Sequence, residues 1–308
     1  GSVFISGAFG KISMGDVGGG DAEAVGQLAS VGYTGLGSLN SINYASDGFD
    51  LFGLPAMVKG DFSYEYNYWD DADVAVSTVV SGGAAAKVLY TYSAGGLTVD
   101  ASAGQISNGP ADHNSYGLGV AYTTGGLTLA AGYGSNEFSF VTTATATLVE
   151  DGDHGTYTEN LWSEDFAVTD GSVTDSSVSA TYVMGDTTIK AIYQDKQLDA
   201  TYDGEDAVAA TATSMGLSVV HKIGAVTLTA FGVSTDLTSD ITDGEESITF
   251  TRTGLGVAYD LGGGASLKAG AVNIEMPHLT TGFDVPYVYG SLDTQSYTAY
   301  DVGVNFSF

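Results

Sequence analysis

The sequence predicts an all-β fold, an antiparallel transmembrane β-barrel, and residues 297–308 show why. Along this stretch Thr, Tyr, Val, Val, Phe and Phe alternate with Tyr, Ala, Asp, Gly, Asn and Ser. Successive side chains of a strand point to opposite faces, so one face is apolar and the other is small or polar. The same pattern recurs along most of the chain. It indicates a sheet with lipid outside and water inside, rather than a soluble sandwich.

A second observation is the contrast between the two ends of the strands. One end carries tight glycine turns, such as Gly95-Gly96 and Gly125-Gly126, which are a hairpin signal. The other end carries long, acidic connections, for example 137–174 and 275–296. Short turns at one end and long loops at the other are typical of outer-membrane barrels. No run approaches the roughly 18 apolar residues of a membrane helix, whereas barrel strands need only about 9 to 11.

Composition narrows the function classes. Eight Lys and Arg stand against 37 Asp and Glu in 308 residues, a formal charge of −29. This acidity argues against nucleic acid as a partner, because phosphates would be repelled, and it is compatible with divalent cations. Hydrophobic residues make up 44% of the chain, so the chain is not disordered over its whole length. The absence of cysteine fits an extracytoplasmic protein without disulfides.

Thirteen strands are predicted, twelve of them in hairpins. In chain order they are 3–7, 11–15, 87–94, 97–105, 115–124, 127–136, 175–184, 187–197, 212–222, 225–235, 248–261, 265–274 and 297–308. A bacterial single-chain barrel normally has an even number of strands. Either the strand-like stretches 61–69 and 74–80 supply the difference, or strands precede Gly1. We favour the second interpretation, an N-terminal truncation.

Strand parity assigns each face. The residues predicted to face lipid are Val88, Tyr90, Tyr92, Leu97, Val99, Ala101, Ala103, Tyr116, Leu118, Val120, Tyr122, Leu127, Leu129, Ala131, Tyr133, Leu255, Val257 and Tyr259. Tyrosines near strand ends are expected to form interfacial girdles, although tyrosine is also simply a good strand former. The basic residues Lys11, Lys87, Lys190, Lys196, Lys222, Arg252 and Lys268 share the inward parity. Cations on the lipid face would cost about 2 to 4 kcal/mol near the midplane, so we expect them in a lumen.

A long insert, residues 32–86, interrupts the hairpins. It is too long for a surface turn, and an ordered loop of this length is usually functional. It carries many aromatic residues and the acidic residues Asp47, Asp50, Asp61, Glu65, Asp70, Asp71 and Asp73. The residues alone leave two alternatives open. The insert either folds into the lumen and narrows it, or packs on neighbouring loops outside.

Several blocks resemble one known family. They are 3–16 (VFISGAFGKISMGD), 31–34 (VGYT), 89–95 (LYTYSAG), 254–266 (GLGVAYDLGGGAS) and the terminal Phe308. In this order they resemble the general porins of Rhodobacter-type alphaproteobacteria, over essentially the whole chain. The resemblance implies a homotrimer of sixteen-stranded barrels in which the third extracellular loop folds into the pore. It also implies that about three strands precede Gly1, together with a cluster of arginines that this sequence lacks.

The resemblance further implies an eyelet between opposed charges. The acids of the insert would form its negative side, and of the lumen cations, which include Lys87 and Lys222, the candidates for the positive side are Lys11, Lys190, Arg252 and Lys268. Such rings of charge tune selectivity. The family implies no required cofactor but bound Ca²⁺ in acidic loops. Hard oxygen ligands are available at Asp151, Asp153, Asp203, Asp206, Asp243 and Glu245, without complete EF-hand spacing.

No enzyme motif is visible. The four histidines are scattered, and there is no H-E-x-x-H, G-x-S-x-G or phosphate-loop pattern. The sequence therefore predicts an integral outer-membrane porin, passing ions and small hydrophilic solutes and surrounded by outer-membrane lipid and lipopolysaccharide. The alternative is a substrate-specific or plugged barrel that acts as an adhesin or structural protein.

Overall fold

The computed structural model describes residues 1–47, 62–67, 72–78, 86–108, 111–152, 155–202, 205–239, 247–279 and 292–306. One antiparallel sheet dominates. Its strands are β1 (Ser2–Gly7), β2 (Gly10–Gly15), β3 (Phe62–Asn67), β4 (Ala72–Thr78), β5 (Ala86–Ala94), β6 (Leu97–Asn108), β7 (Ala111–Thr124), β8 (Leu127–Gly152), β9 (Gly155–Met184), β10 (Thr187–Tyr202), β11 (Glu205–Ile223), β12 (Val226–Ser239), β13 (Ser247–Gly262), β14 (Ala265–Leu279) and β15 (Leu292–Phe306).

Within the described ranges, thirteen strands form a continuous path in chain order, with β3 and β4 off it. This confirms the thirteen strands that the sequence predicts. At one end, tight turns join the hairpins close to the predicted residues. Gly95 and Gly96 have φ of 59° and 86°, the region that both central residues of a type I′ turn need and that glycine adopts without strain.

At the other end the strands are longer than the sequence predicts. The stretch 137–174, expected to be a loop, continues the β8–β9 ladder as far as Gly152 and Gly155. That expectation was wrong for the backbone, because the Thr-rich run 142–149 (TTATATLV) favours continued strand pairing. The hairpin β3–β4 is added to this extension, with Ala72 to Ser77 of β4 paired to Leu148 to Thr143 of β8.

The outward face is apolar, as parity predicts. On β7, Tyr116, Leu118, Val120 and Tyr122 are 42 to 57% exposed, whereas the inward Ser115 is 6% exposed. Exposed tyrosines lie beside the short turns, at Tyr92, Tyr122, Tyr182 and Tyr259. None of the helices in the described part of the chain is both long enough and apolar enough to cross a membrane.

The inward face is covered by residues 16–47, called the inner segment below. After β2 the chain forms the short helix α1 (Gly20–Val25), which contacts β6, β7, β8 and β9. The segment buries the side chains Val25, Leu28, Val31, Leu39, Ile42 and Tyr44 in one cluster with the wall residues Ala130, Ile192, Phe231, Val233 and Val272. The inward face therefore carries apolar side chains as well as polar ones where the segment lies, and is not uniformly polar as the sequence suggested.

Candidate functional site

The inner segment follows a track of inward-facing glycines across the sheet. Gly117 and Gly119 on β7 contact Gly20, and Gly132 and Gly134 on β8 contact Asp21. Farther along, glycines of β11, β13, β14 and β15 meet residues 28 to 33 in sequence order: Gly216, Gly256, Gly270 and Gly303. A β-carbon at any of these positions would collide with the segment. Glycine is needed there because the two backbones approach closely.

The end of the segment nearest β5 is fixed by charge. Lys87 Nζ lies 2.8 Å from Asp47 Oδ1, and the two side chains are 7% and 40% exposed. The same carboxylate oxygen accepts a hydrogen bond from the Gly19 amide at 2.7 Å. The Gly20 amide donates to Ser102 Oγ at 2.8 Å. Both ends of the inner segment therefore meet at β5 and β6.

The middle of the segment is held through its backbone. Lys190 Nζ and Ser179 Oγ both donate to the Val25 carbonyl, at 2.6 and 3.0 Å. That carbonyl lies at the C-terminus of α1, where a cation is favourably placed. The Ala29 amide donates to Ser218 Oγ at 3.1 Å. Polar wall side chains thus bind the segment at points between its apolar contacts.

The outgoing and returning halves of the segment bind each other. Gln27 pairs with Ile42 through both its amide atoms, at 2.7 Å each. Tyr44 Oη donates to the Gly26 carbonyl at 2.6 Å, and Asn40 Nδ2 donates to the Leu28 carbonyl at 2.5 Å. The segment is therefore a folded unit, and its tip, residues 31–34, lies far from β5.

That tip is bound by a carboxylate of the last strand. Asp301 on β15 accepts hydrogen bonds from the Tyr33 amide at 2.8 Å, the Thr34 amide at 2.6 Å and Thr34 Oγ1 at 2.6 Å. The Tyr33 ring lies against Gly303. The inner segment therefore reaches from β5 to β15 on the inward face.

A buried pair of carboxyl groups lies under the base of the segment. Asp21 and Asp175 are 0% and 1% exposed. Asp21 Oδ1 accepts a hydrogen bond from Ser46 Oγ, while Asp175 accepts one from the Ala45 amide at 2.7 Å. Burial, and next the negative charge of Asp175, raise the pKa of Asp21 to about 7. Asp21 Oδ2 has no hydrogen-bond partner among the described residues.

Comparison with known proteins identifies the family of this chain. Residues 1–278 match the family of Gram-negative porins. The chain belongs to this family. It is 30% identical to the porin of Rhodobacter capsulatus over 291 residues. This aligned region covers 90% of this chain and 76% of the Rhodobacter protein. The Rhodobacter-type resemblance is thereby confirmed.

Solved structures agree with that assignment. A porin refined at 1.8 Å resolution matches this porin over 100% of its length and 80% of that chain, with 27% identity and a TM-score of 0.58. The outer-membrane protein OmpT of Vibrio cholerae covers 99% of it at a TM-score of 0.58 and 17% identity, which supports the fold. This porin is an integral outer-membrane protein and a channel for passive diffusion of solutes. It is not an enzyme.

The structure places some of the predicted acids. Asp47 contacts Lys87 at the base of the inner segment. Glu65 and Asp73 lie on β3 and β4. Asp50, Asp61, Asp70 and Asp71 lie outside the described residues. The inner segment begins at Asp16, before Gly32, at which the sequence placed the start of the insert.

The predicted lumen cations fall into three groups. Lys87 and Lys190 bind the inner segment directly, and Lys196 and Arg252 are each 4% exposed on the wall. Lys11 and Lys222 are exposed, and Lys268 is half-buried. Part of the positive charge expected to face water is thus used to hold the segment.

Two of the six predicted calcium ligands lie on described strands. Asp151 is on β8 and Asp206 is on β11. Asp153, Asp203, Asp243 and Glu245 lie outside the described residues. Among the side chains that the structure describes, no three His, Cys, Asp or Glu residues group closely enough to hold a metal ion.

Sequence reasoning missed the residues that seat the segment. Asp21, Asp175 and Asp301 were not singled out, although parity already put Asp301 on the polar face of the last strand. The inward glycines at alternate positions of several strands were a usable signal. They mark strands on which another backbone lies closely.

Proposed function

We propose that the inner segment and the wall facing it form the filter of this porin, selecting solutes by size and charge. The observation that carries the proposal is the span of the segment, from the Lys87–Asp47 pair at β5 to Asp301 at β15. A chain segment held across the inward face reduces the area left for solutes. The acids of the insert supply its negative side, and the exposed Lys11 and the half-buried Lys268 remain candidates for the positive side.

The net charge of −29 supports a modest preference for cations. The test is single-channel recording of the purified protein in a planar bilayer under a salt gradient. We expect stepwise, ohmic currents and a reversal potential of the sign that cation preference gives. A reversal potential of the opposite sign would show that the wall cations dominate the filter.

The apolar packing of the segment favours one competing function. Eleven buried side chains of the described residues form the cluster between segment and wall. Such a contact also suits a plugged or substrate-specific barrel that acts as an adhesin or structural protein. The same recording separates the two. Absence of current from folded, membrane-inserted protein would support the plugged barrel.

We further propose that the porin is a homotrimer surrounded by outer-membrane lipid and lipopolysaccharide. The apolar outward face, with residues such as Leu118 and Leu255 at 57% and 69% exposure, supports contact with lipid or other barrels. Conductance steps grouped in threes, together with the mass of the detergent-solubilised particle, test the trimer. A particle of one chain would contradict it.

Structural Ca²⁺ is proposed for the acidic loops near Asp151 and Asp206, since carboxylates are its usual ligands. No cofactor is proposed for solute passage. Thermal unfolding with EDTA and with added Ca²⁺ tests this. A midpoint unchanged by either treatment would remove calcium from the proposal.

A further inference from the structure

The tip of the inner segment depends on one carboxylate. Both oxygens of Asp301 are engaged, Oδ1 by the Tyr33 amide and Oδ2 by the amide and hydroxyl of Thr34. Hydrogen bonds to an ionised acceptor are stronger than those between neutral groups. Two consecutive backbone amides and a side chain of the tip therefore converge on a single wall residue.

The surroundings of Asp301 are shaped for this contact. Gly32 has a φ of +82°, a conformation that side-chain-bearing residues rarely adopt, and its amide lies against Gly270. The Tyr33 ring occupies the space that a side chain at position 303 would fill. Val31 packs on Gly256. Three neighbouring strands thus leave space for the tip, and Asp301 supplies its hydrogen-bond acceptors.

The contact between the tip and Asp301 joins parts of the chain that are far apart in sequence and in the sheet. The segment joins the wall covalently through β2, whereas Asp301 is on β15, at the opposite edge of the strand path. Tyr33 and Asp301 are 268 residues apart in sequence. The tip is partly exposed to the interior space, so water would replace its hydrogen bonds if the carboxylate were lost.

We infer that Asp301 is the positioning residue of the filter: it fixes residues 31–34 against β14 and β15 and so determines the largest solute that passes. The inference rests on the proposed filter. Asp301 acts through the segment, so its removal increases the passage of large neutral solutes. A residue acting only by its charge would alter ion preference alone.

The experiment compares neutral sugars of increasing size by liposome swelling, because their rates do not respond to charge. In Asp301→Asn and Asp301→Ala proteoliposomes we expect the rate for large sugars, relative to a monosaccharide, to rise above that of the unchanged porin. Thr34→Val keeps the carboxylate and both backbone donors but removes the hydroxyl, which donates to Asp301 and accepts a 3.3 Å hydrogen bond from the Leu36 amide, so it should give a smaller rise. The double variant Asp301→Asn/Thr34→Val should not exceed Asp301→Asn, since both act on one contact.

A matched control removes a carboxylate that does not touch the segment. Asp260 on β13 accepts a hydrogen bond from the Gly262 amide in its own turn, at 2.8 Å. Asp260→Asn should leave the sugar ratio unchanged. If it raises the ratio as Asp301→Asn does, loss of charge is sufficient and the inference fails.

A reversible cross-link gives the converse test. The chain has no cysteine, so Tyr33→Cys with Gly303→Cys introduces a single pair, at positions where the Tyr33 ring now contacts Gly303. In the Asp301→Asn background, the oxidised pair should restore the lower sugar ratio and dithiothreitol should raise it again. The variants' far-UV circular dichroism verifies the fold.

The outcomes separate the two proposals. If the unchanged porin passes no sugar, the filter proposal itself fails. If it passes small sugars and neither Asp301 variant alters the ratio, Asp301 does not set the limit and the inference is overturned. The same holds if the oxidised cross-link does not reverse the effect of Asp301→Asn.

Discussion

At the scale of single residues, charged groups of this porin hold a chain segment in place. Lys87 is 7% exposed against an Asp47 that is 40% exposed, and Lys190 binds a backbone carbonyl. Counting acids and bases along the sequence identified Lys87, Lys190 and Asp47. It gave no indication of their partners, because each contact joins residues distant in the chain.

Asp21 should make the stability of the seated segment depend on pH. Its pKa is raised to about 7, above its usual value near 3.8, chiefly by burial. The folded protein therefore binds the proton more tightly than the unfolded chain does, and this stabilisation is present below about pH 4. It is lost as pH rises towards about 7. Each unit of pKa shift corresponds to about 1.4 kcal/mol, so the effect is on the order of a few kcal/mol.

Asp21→Asn should remove most of that dependence. We expect the variant to match or exceed the unchanged porin in thermal midpoint at pH 8 and to gain little on acidification. Thermal unfolding in detergent at pH 5 and pH 8 measures this, with Asp170→Asn at an exposed position as the control. A variant that keeps the full pH dependence would assign it to other groups.

The Lys87–Asp47 pair should show modest coupling. Because Asp47 is 40% exposed, solvent weakens the ion pair, and we expect Lys87→Met to cost about 1 kcal/mol. A double-mutant cycle with Asp47→Asn isolates the pairwise free energy of unfolding. Strictly additive effects would contradict a direct contribution.

At the scale of elements, the strand ends at the short turns could be predicted well, and the opposite ends could not. Glycine turns such as Gly95-Gly96 are encoded locally, so sequence reveals them. At the ends opposite the short turns, β8 and β9 continue through many polar residues, and the sequence there has no local signal that ends strand pairing before Gly152 and Gly155. The path of the inner segment was equally hidden, since it depends on contacts between glycines of separate strands and residues 20 to 33.

The glycine track gives a prediction at this scale. A β-carbon on Gly256 would lie 2.9 Å from Val31 Cβ, so Gly256→Ala should crowd the segment and cost about 1 to 3 kcal/mol. In Gly232→Ala on neighbouring β12, the nearest atom is 3.9 Å away and the new methyl group is accommodated. Thermal midpoints of the two variants measure the difference. Equal midpoints would mean that the segment moves aside without cost.

At the scale of the whole molecule, the alternation of faces could be predicted and the occupancy of the interior could not. Apolar outward residues are visible in any single strand. The apolar patch under the segment, formed by Ile192, Phe231, Val233 and Val272, has the same parity as polar lumen residues. Only the arrival of a distant segment explains those four side chains.

The outward face predicts how the porin enters a bilayer. Leu118 is 57% exposed at the centre of β7, so Leu118→Arg should cost about 2 to 4 kcal/mol near the midplane. Tyr122→Arg, beside the short turn, should cost about 0 to 1 kcal/mol. Folding yields into lipid vesicles compare the two. Similar losses for both would argue against the assigned depth.

The contact between Tyr33 and Asp301 also has a consequence for assembly. Its partners are separated by 268 residues, and the acceptor belongs to the last strand of the path. A contact between residues so far apart forms late, since the loop between them must first be closed. Docking of the tip therefore follows the pairing of β15 with β14. Until that pairing forms, the Tyr33 and Thr34 amides lack the acceptor that Asp301 provides.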